Sequence, residues 1–284
     1  MHGVLIWYWL GGRKVLNFGE HFVEMLLPKL HCHFRRFDVE KERGAIEPGE
    51  PFLLVIGSEF ERGLVDGLLA AGCHVHVWGQ GNGRGADRAV DVRLPHYRAA
   101  ITIHALRGPL TKRVSHVEAD VPLCDPGFLL PKFYPNWKVE EPTGVAYIPH
   151  HCNYELVTLP QVQAVGADCL LNVMVHHDEL CDLASRIASA SFALVSSLHA
   201  FIFCLAYGVP CAICLQAGEV LNMPDKWRDV LESTGWPDRG EGSRGLPIVH
   251  NLAQGRRWWE REGRQLEIPD VGAMLAAFPF GEDP

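Results

Sequence analysis

The chain has 284 residues, 48% hydrophobic and 21% charged, an ordinary balance for a soluble globular protein and enough for one large α/β domain or two of usual size. A formal charge of −8 argues against a general nucleic-acid binder, which needs a basic face for phosphates, though it leaves room for a local basic pocket. The most apolar segment, Phe201–Leu215, is interrupted by Gly208 and Pro210, so no stretch reaches the ~20 residues of a membrane helix. Nine dispersed cysteines, most of them in apolar runs, read as reduced buried thiols of a cytoplasmic protein.

In chain order, Val4–Trp9 reads as a first strand and not as a signal peptide, because it lacks a basic leader and a small-residue cleavage site. After a turn at Gly11-Gly12, Asn17 caps a helix over about Phe18–His31, with Phe22, Met25, Leu26 and Leu30 on one face. Residues 38–51 are polar and loop-like. Phe52–Gly57, the end of Ala70–Trp78 and Ala100–Leu106 read as strands, and Pro109 opens a helix to about Val114. Residues 131–143 carry three prolines and read as a domain linker. A second series follows, with strands at Val145–Pro149, Cys169–Val175, Phe192–Val195 and Cys211–Leu215 and a helix at Asp178–Ala190. Strands alternating with helices in both halves predict an α/β fold of two Rossmann-like doubly wound lobes with a cleft between them. The lobes span residues 1–135 and 144–250, and the helical segment 251–284 could pack back across them.

Three strand-to-helix junctions gather backbone amides and polar side chains. They are Asn17-Phe18-Gly19-Glu20-His21, Arg107-Gly108-Pro109 and Ser196-Ser197-Leu198-His199. Helix N-termini suit phosphate or carboxylate, and Arg107 adds a charge with bidentate geometry. The plainer readings are that Asn17 and Ser196 are helix caps, Arg107 a surface ion-pair residue and His199 a core histidine. Cys211 and Cys214 have metal or redox spacing, yet sit in an apolar strand with no second pair, and read as packing. His150-His151-Cys152 and His176-His177-Asp178 both follow strand ends. One histidine of each pair is expected to line the cleft, and a metal site is not expected.

Taken in order, these motifs resemble the polysaccharide pyruvyltransferase family. The resemblance runs over about residues 7–280. It rests on the Asn17–His21 segment, Val77-Trp78-Gly79-Gln80-Gly81, Arg107-Gly108-Pro109, Asp125-Pro126-Gly127 and Ile148-Pro149-His150-His151. Val195–Ala200 with Gly208-Val209-Pro210, and the tail Ala276-Ala277-Phe278-Pro279, complete it. It implies a GT-B-like fold and phosphoenolpyruvate as donor substrate, with no cofactor. The enolpyruvyl carbon would pass to two hydroxyls of a sugar as a cyclic ketal, with release of phosphate.

The resemblance also implies that Arg107, His199 and the lysine at Lys226 bind or act on the donor, with Ser196, Ser197 and His150 beside them. Asn17, Glu20 and His21 would face the acceptor, Glu20 standing where the family usually has aspartate. His199 would be the general acid, its pKa raised by the anionic donor, and Glu20 the base. The acceptor would be an exopolysaccharide sugar or its lipid-linked precursor, which allows peripheral contact with the inner face of the membrane. Arg256-Arg257-Trp258-Trp259 could make that contact or pack as a helix. The rivals are a nucleotide-sugar glycosyltransferase, weakened because such enzymes commonly hold the donor with a pair of glutamates where this chain offers only Glu219 and, six residues on, Asp225, and a non-catalytic sugar-binding relative.

Overall fold

The computed structural model describes residues 4–6, 16–37, 46–240 and 242–281. The first lobe begins with β1 (Val4–Ile6), β2 (Leu16–Asn17), α1 (Phe18–Lys29), β3 (Phe34–Arg36), β4 (Pro51–Leu54), α2 (Arg62–Ala70) and β5 (His74–Trp78). It continues through α3 (Pro95–Ala100), β6 (Ile101–Ala105), α4 (Pro109–Val114) and α5 (Leu130–Phe133). The second lobe opens with β7 (Val145–Ile148), α6 (His151–Tyr154), α7 (Leu159–Ala164), β8 (Cys169–Leu170), β9 (Met174–Val175), α8 (Leu180–Ala188) and β10 (Phe192–Val195). It ends with α9 (Leu198–Tyr207), β11 (Cys211–Cys214), α10 (Pro224–Ser233), β12 (Ile248–Val249), α11 (Leu252–Arg261) and α12 (Val271–Ala276). Of the expected first strand only Val4–Ile6 is described; the turn at Gly11-Gly12 and residues 38–45 of the expected loop lie outside the described residues.

The chain is α/β, with two parallel sheets of five strands. One has the order β3-β1-β4-β5-β6 and the other β12-β11-β10-β7-β8. Counted along the chain within each sheet, both orders are 2-1-3-4-5. Such a sheet reverses direction beside its first strand, here between β1 and β4 and between β7 and β10. Loops leaving the two strands there diverge and open a crevice at the carboxyl edge.

Successive residues of a strand face opposite sides of the sheet. Leu5, Phe52, Leu54, Val75 and Val77 therefore form a core confined to the first lobe. Val4, Ile6, Leu53 and Trp78 point the other way, into a core shared with the whole second lobe. Helix α1 joins them: Phe22 stacks on Phe203 of α9 at 5.8 Å, and Phe18 tilts against the same ring at 5.5 Å. Beside it β2 and β9 form a short antiparallel ladder, Leu16 opposite Val175 and Asn17 opposite Met174, extended by Phe18 N–H to the Val173 carbonyl at 2.7 Å.

Four segments differ from the sequence reading. Cys169–Val175 is not one strand, because Asn172 accepts the Met174 N–H through its side chain at 2.9 Å and turns the chain. β8 stays in the sheet while β9 leaves it for β2. Residues 131–143 are more ordered than a linker: two of their prolines sit in the first turns of α5 and of a 3-10 turn over Pro135–Trp137, where a missing N–H costs nothing. Tyr134 stacks on Trp137 at 4.6 Å, donates to the Met25 carbonyl and accepts at its own carbonyl from the Tyr207 hydroxyl. Helices α7 and α10 were not anticipated.

The C-terminal segment touches both lobes. Trp258 of α11 is buried against the second lobe while Arg256 and Arg257 are exposed, so the aromatic–basic cluster belongs to a packing helix. Beyond it, Trp78 Nε1 of the first lobe donates to the Met274 carbonyl at 2.9 Å, and Phe278 meets the Trp78 ring edge-on at 4.7 Å. Among the described residues no helix is long and apolar enough to cross a membrane.

Candidate functional site

The two reversal points face one another across a cavity of about 210 Å³. The first lobe contributes Gly57, Ser58 and Glu59 after β4, Arg84 after β5, and Asn17 and Glu20 at the start of α1. From the second lobe come His150 and His151 after β7, Ser197, Leu198 and His199 after β10, and Asn222, Met223 and Lys226 after β11.

Helix α9 presents His199 in its first turn. Nearly every residue of Leu198–Tyr207 is buried, and Gly208, at φ 68°, ends the helix in the left-handed conformation that a glycine adopts without strain. The imidazole lies against the backbone of Gly19 on α1, and its Nε2 is buried with no hydrogen-bond partner among the described residues. Burial, then the nearby positive charges of Lys226 and Arg107, push the His199 pKa down to about 3. The fold alone therefore keeps His199 neutral; the raised value was expected only beside a bound anionic donor.

Lys226 is in the first turn of α10, only 8% exposed. Burial and the Arg107 charge lower its pKa to about 8, while Glu20, Cys152 and Glu59 favour its protonation. Among the described residues no hydrogen bond or ion pair engages its Nζ, which leaves a buried amine available to an anion. Burial raises the pKa of Glu59 on the opposite wall, with Glu61 adding and Arg84 and Lys226 opposing. Arg84 in turn reaches Glu61 at 3.3 Å. His150 is held at both ring nitrogens, Nδ1 accepting from Cys152 N–H at 3.3 Å and Nε2 lying 3.2 Å from Asn222 Nδ2. Burial first, then Lys226, lowers its pKa to about 2.

Six of the residues singled out from the sequence line the cavity: Asn17, Glu20, His150, Ser197, His199 and Lys226. Asn17 also caps α1, its side chain accepting Gly19 N–H at 3.1 Å. Three take other places. Arg107 is fully buried behind the wall; its Nε donates to Asp229 at 3.0 Å, Nη1 to the Gly57 carbonyl and Ser58 hydroxyl, and Nη2 to the Asn82 carbonyl. It holds Gly57 and Ser58 from behind and is not among the residues that line the cavity. Ser196 is buried beneath the loop, accepting the His150 N–H at 2.9 Å. His21 turns away from the cavity toward Glu24 and His177. Of the histidine pairs, both His150 and His151 line the cavity, and neither His176 nor His177 does.

Sequence reasoning missed Ser58, Glu59, Arg84, Asn222 and Met223. A signal existed for the first two, since they follow a buried strand as His150 does. Asp229 was missed for a different reason: it meets Arg107 and Thr111 across 122 and 118 positions of sequence.

No family model matches the chain, and comparison with curated proteins and with solved structures finds no match either.

Proposed function

We propose that the protein is a ketal pyruvyltransferase of the polysaccharide pyruvyltransferase type, on a GT-B-like pair of lobes, using phosphoenolpyruvate as donor. The observation that carries this reading is the pairing of a neutral, unpartnered His199 Nε2 with a buried Lys226 amine in one small polar cavity. About 210 Å³ is below the ~300–1,000 Å³ of sites for drug-sized ligands, and suits a three-carbon phosphate ester better than a nucleotide sugar. Glu219, which a nucleotide-sugar enzyme would need at the donor, instead accepts from the Tyr147 hydroxyl and from Gln216 N–H and does not line the cavity.

The donor's negative charge offsets the burial that keeps His199 neutral, so the histidine takes up a proton as the donor binds. Protonated His199 gives that proton to the methylene carbon, leaving an oxocarbenium-like centre at C2. One acceptor hydroxyl adds to C2, its proton passing to Glu20. The C2–O bond to phosphate then breaks, phosphate keeping the electron pair beside Lys226. A second hydroxyl closes the ketal. Of the two hydroxyl protons, one restores His199 and the other leaves with phosphate.

The second lobe is the donor side on this reading and the first-lobe wall, with Asn17 and Glu20, the acceptor side. All nine cysteines are free thiols, which favours a reducing cytoplasmic setting, with a lipid-linked sugar met at the inner membrane face. The test is incubation with phosphoenolpyruvate and pyranose acceptors, following phosphate release and ketal formation. Consumption of UDP- or GDP-sugars with phosphoenolpyruvate left intact would overturn the reading.

A further inference from the structure

A second group of polar side chains lies outside the cavity, on the seam between the lobes. His21 and Glu24 stand one turn apart on α1, with His21 Nε2 3.3 Å from Glu24 Oε2. His177, on the 3-10 turn that leads into α8, brings its Nε2 to 3.8 Å from the same oxygen. The two imidazoles meet edge-on at 5.0 Å, and one ligand atom from each residue lies within 4.8 Å of the other two.

We propose that His21, Glu24 and His177 bind a zinc-like divalent transition-metal ion, with water completing the coordination. A tetrahedral zinc site with bonds of about 2.0–2.1 Å holds its ligand atoms roughly 3.3 Å apart, close to the two separations from the Glu24 oxygen. Two imidazoles and one carboxylate form a donor set suited to zinc, whereas calcium and magnesium take oxygen ligands. His177 is 72% exposed, which gives the ion a way in and water a place to bind.

The frame for this site is already built. The β2–β9 ladder pairs Asn17 with Met174, and the ligands follow those residues by four, seven and three positions. The ion clamps α1 to the second lobe at the turn whose Asn17 and Glu20 face the cavity, whatever chemistry the cavity performs. His150, His151 and Cys152 also lie within ligating distance of one another, but both His150 ring nitrogens are engaged by protein groups.

The test uses the full chain, stripped by a chelator and titrated with Zn²⁺ or Co²⁺. One equivalent is expected to bind and to raise the thermal midpoint. Cobalt is expected to give visible bands of a low-symmetry site without thiolate charge transfer. His177→Ala alters a surface side chain and so keeps the fold. It and Glu24→Gln are each expected to weaken binding more than about tenfold, since loss of an outer-shell partner alone costs that much. Absence of binding by the wild-type chain, or unchanged affinity in His177→Ala, would overturn the proposal. A thiolate-to-cobalt band would do so too, assigning the ion to the cluster at Cys152.

Discussion

The imidazole of His199 rests on the backbone of Gly19, so closely that a Cβ on Gly19 would fall 1.9 Å from Nδ1 and 2.2 Å from the His199 Cβ. Helices α1 and α9 thus meet without room for a methyl group beside the Nδ1 edge of the ring. Gly19→Ala displaces the ring or parts the helices. Turnover is expected to fall about 100-fold, the scale of a 1 Å misplacement. The overpacking is expected to cost roughly 1–3 kcal/mol in denaturant unfolding. Wild-type turnover in this variant would show that the seat of His199 is immaterial.

The Arg107–Asp229 pair joins the lobes with both side chains fully buried. Asp229 also accepts from the Thr111 N–H and hydroxyl at 2.8 and 2.6 Å. Asp229→Ala leaves a buried guanidinium without its counter-charge, which costs about 3–5 kcal/mol. The double variant Arg107→Met, Asp229→Leu is expected to lose less than Asp229→Ala alone. Urea unfolding of the three proteins checks both statements. Equal losses would mean that the unpaired charge is not the cause.

Lys226 makes the site at the expense of the fold. Its pKa in the fold, about 8, lies below the unfolded value, so burial disfavours the charged form. That penalty, up to about 3 kcal/mol, is full below pH 8 and disappears as pH rises toward 10.5. Lys226→Met is therefore expected to be more stable than wild type at pH 7. The difference should shrink above pH 8, and phosphoenolpyruvate binding should be lost. Calorimetric titration and unfolding at pH 7 and pH 10 test the pair of effects; a variant less stable at pH 7 would contradict the argument.

Acid acts in the opposite direction. His150, His199 and His76 have pKa values lowered to about 2, 3 and 4, burial being the largest cause in each case. The His76 ring lies 3.0 Å from His104 Nε2 and under Phe280. The fold keeps these imidazoles neutral while the unfolded chain protonates them below about 6.5, so their contribution is whole above that pH and lost as pH falls toward the folded values. Stability measured at intervals between pH 6.5 and 4.5 is expected to drop by more than about 1.4 kcal/mol per pH unit, the value for one proton. A shallower slope would mean these histidines are protonated in the fold.

The sequence made the unit from Phe192 to Cys214 legible because its signals are local: a short apolar run, a buried helix, a left-handed glycine, then a second run. Asn17 and His199 were readable for the same reason, each standing at a strand-to-helix junction. Arg107 drew attention as a charge near a helix start, but its role is set by Asp229, and no local pattern announces a partner 122 residues away. Likewise Cys169–Val175 has the composition of one strand, and only the side-chain turn at Asn172 divides it. The lowered pKa of His199 in the protein alone likewise depends on surroundings the chain brings together only when folded.

The shared core has a thermodynamic consequence. Val4, Leu53 and Trp78 pack in the same apolar interior as Phe203 and Ile213, so neither lobe can melt without exposing the other's contacts. The lobes are expected to give one calorimetric transition instead of two. The amide protons of Phe18 and Thr111, bonded across the seam to Val173 and Asp229, should exchange with solvent only through global unfolding. Lobes pinned in this way are expected to stay together as ligand enters, so that access depends on the mouth the folded protein already has.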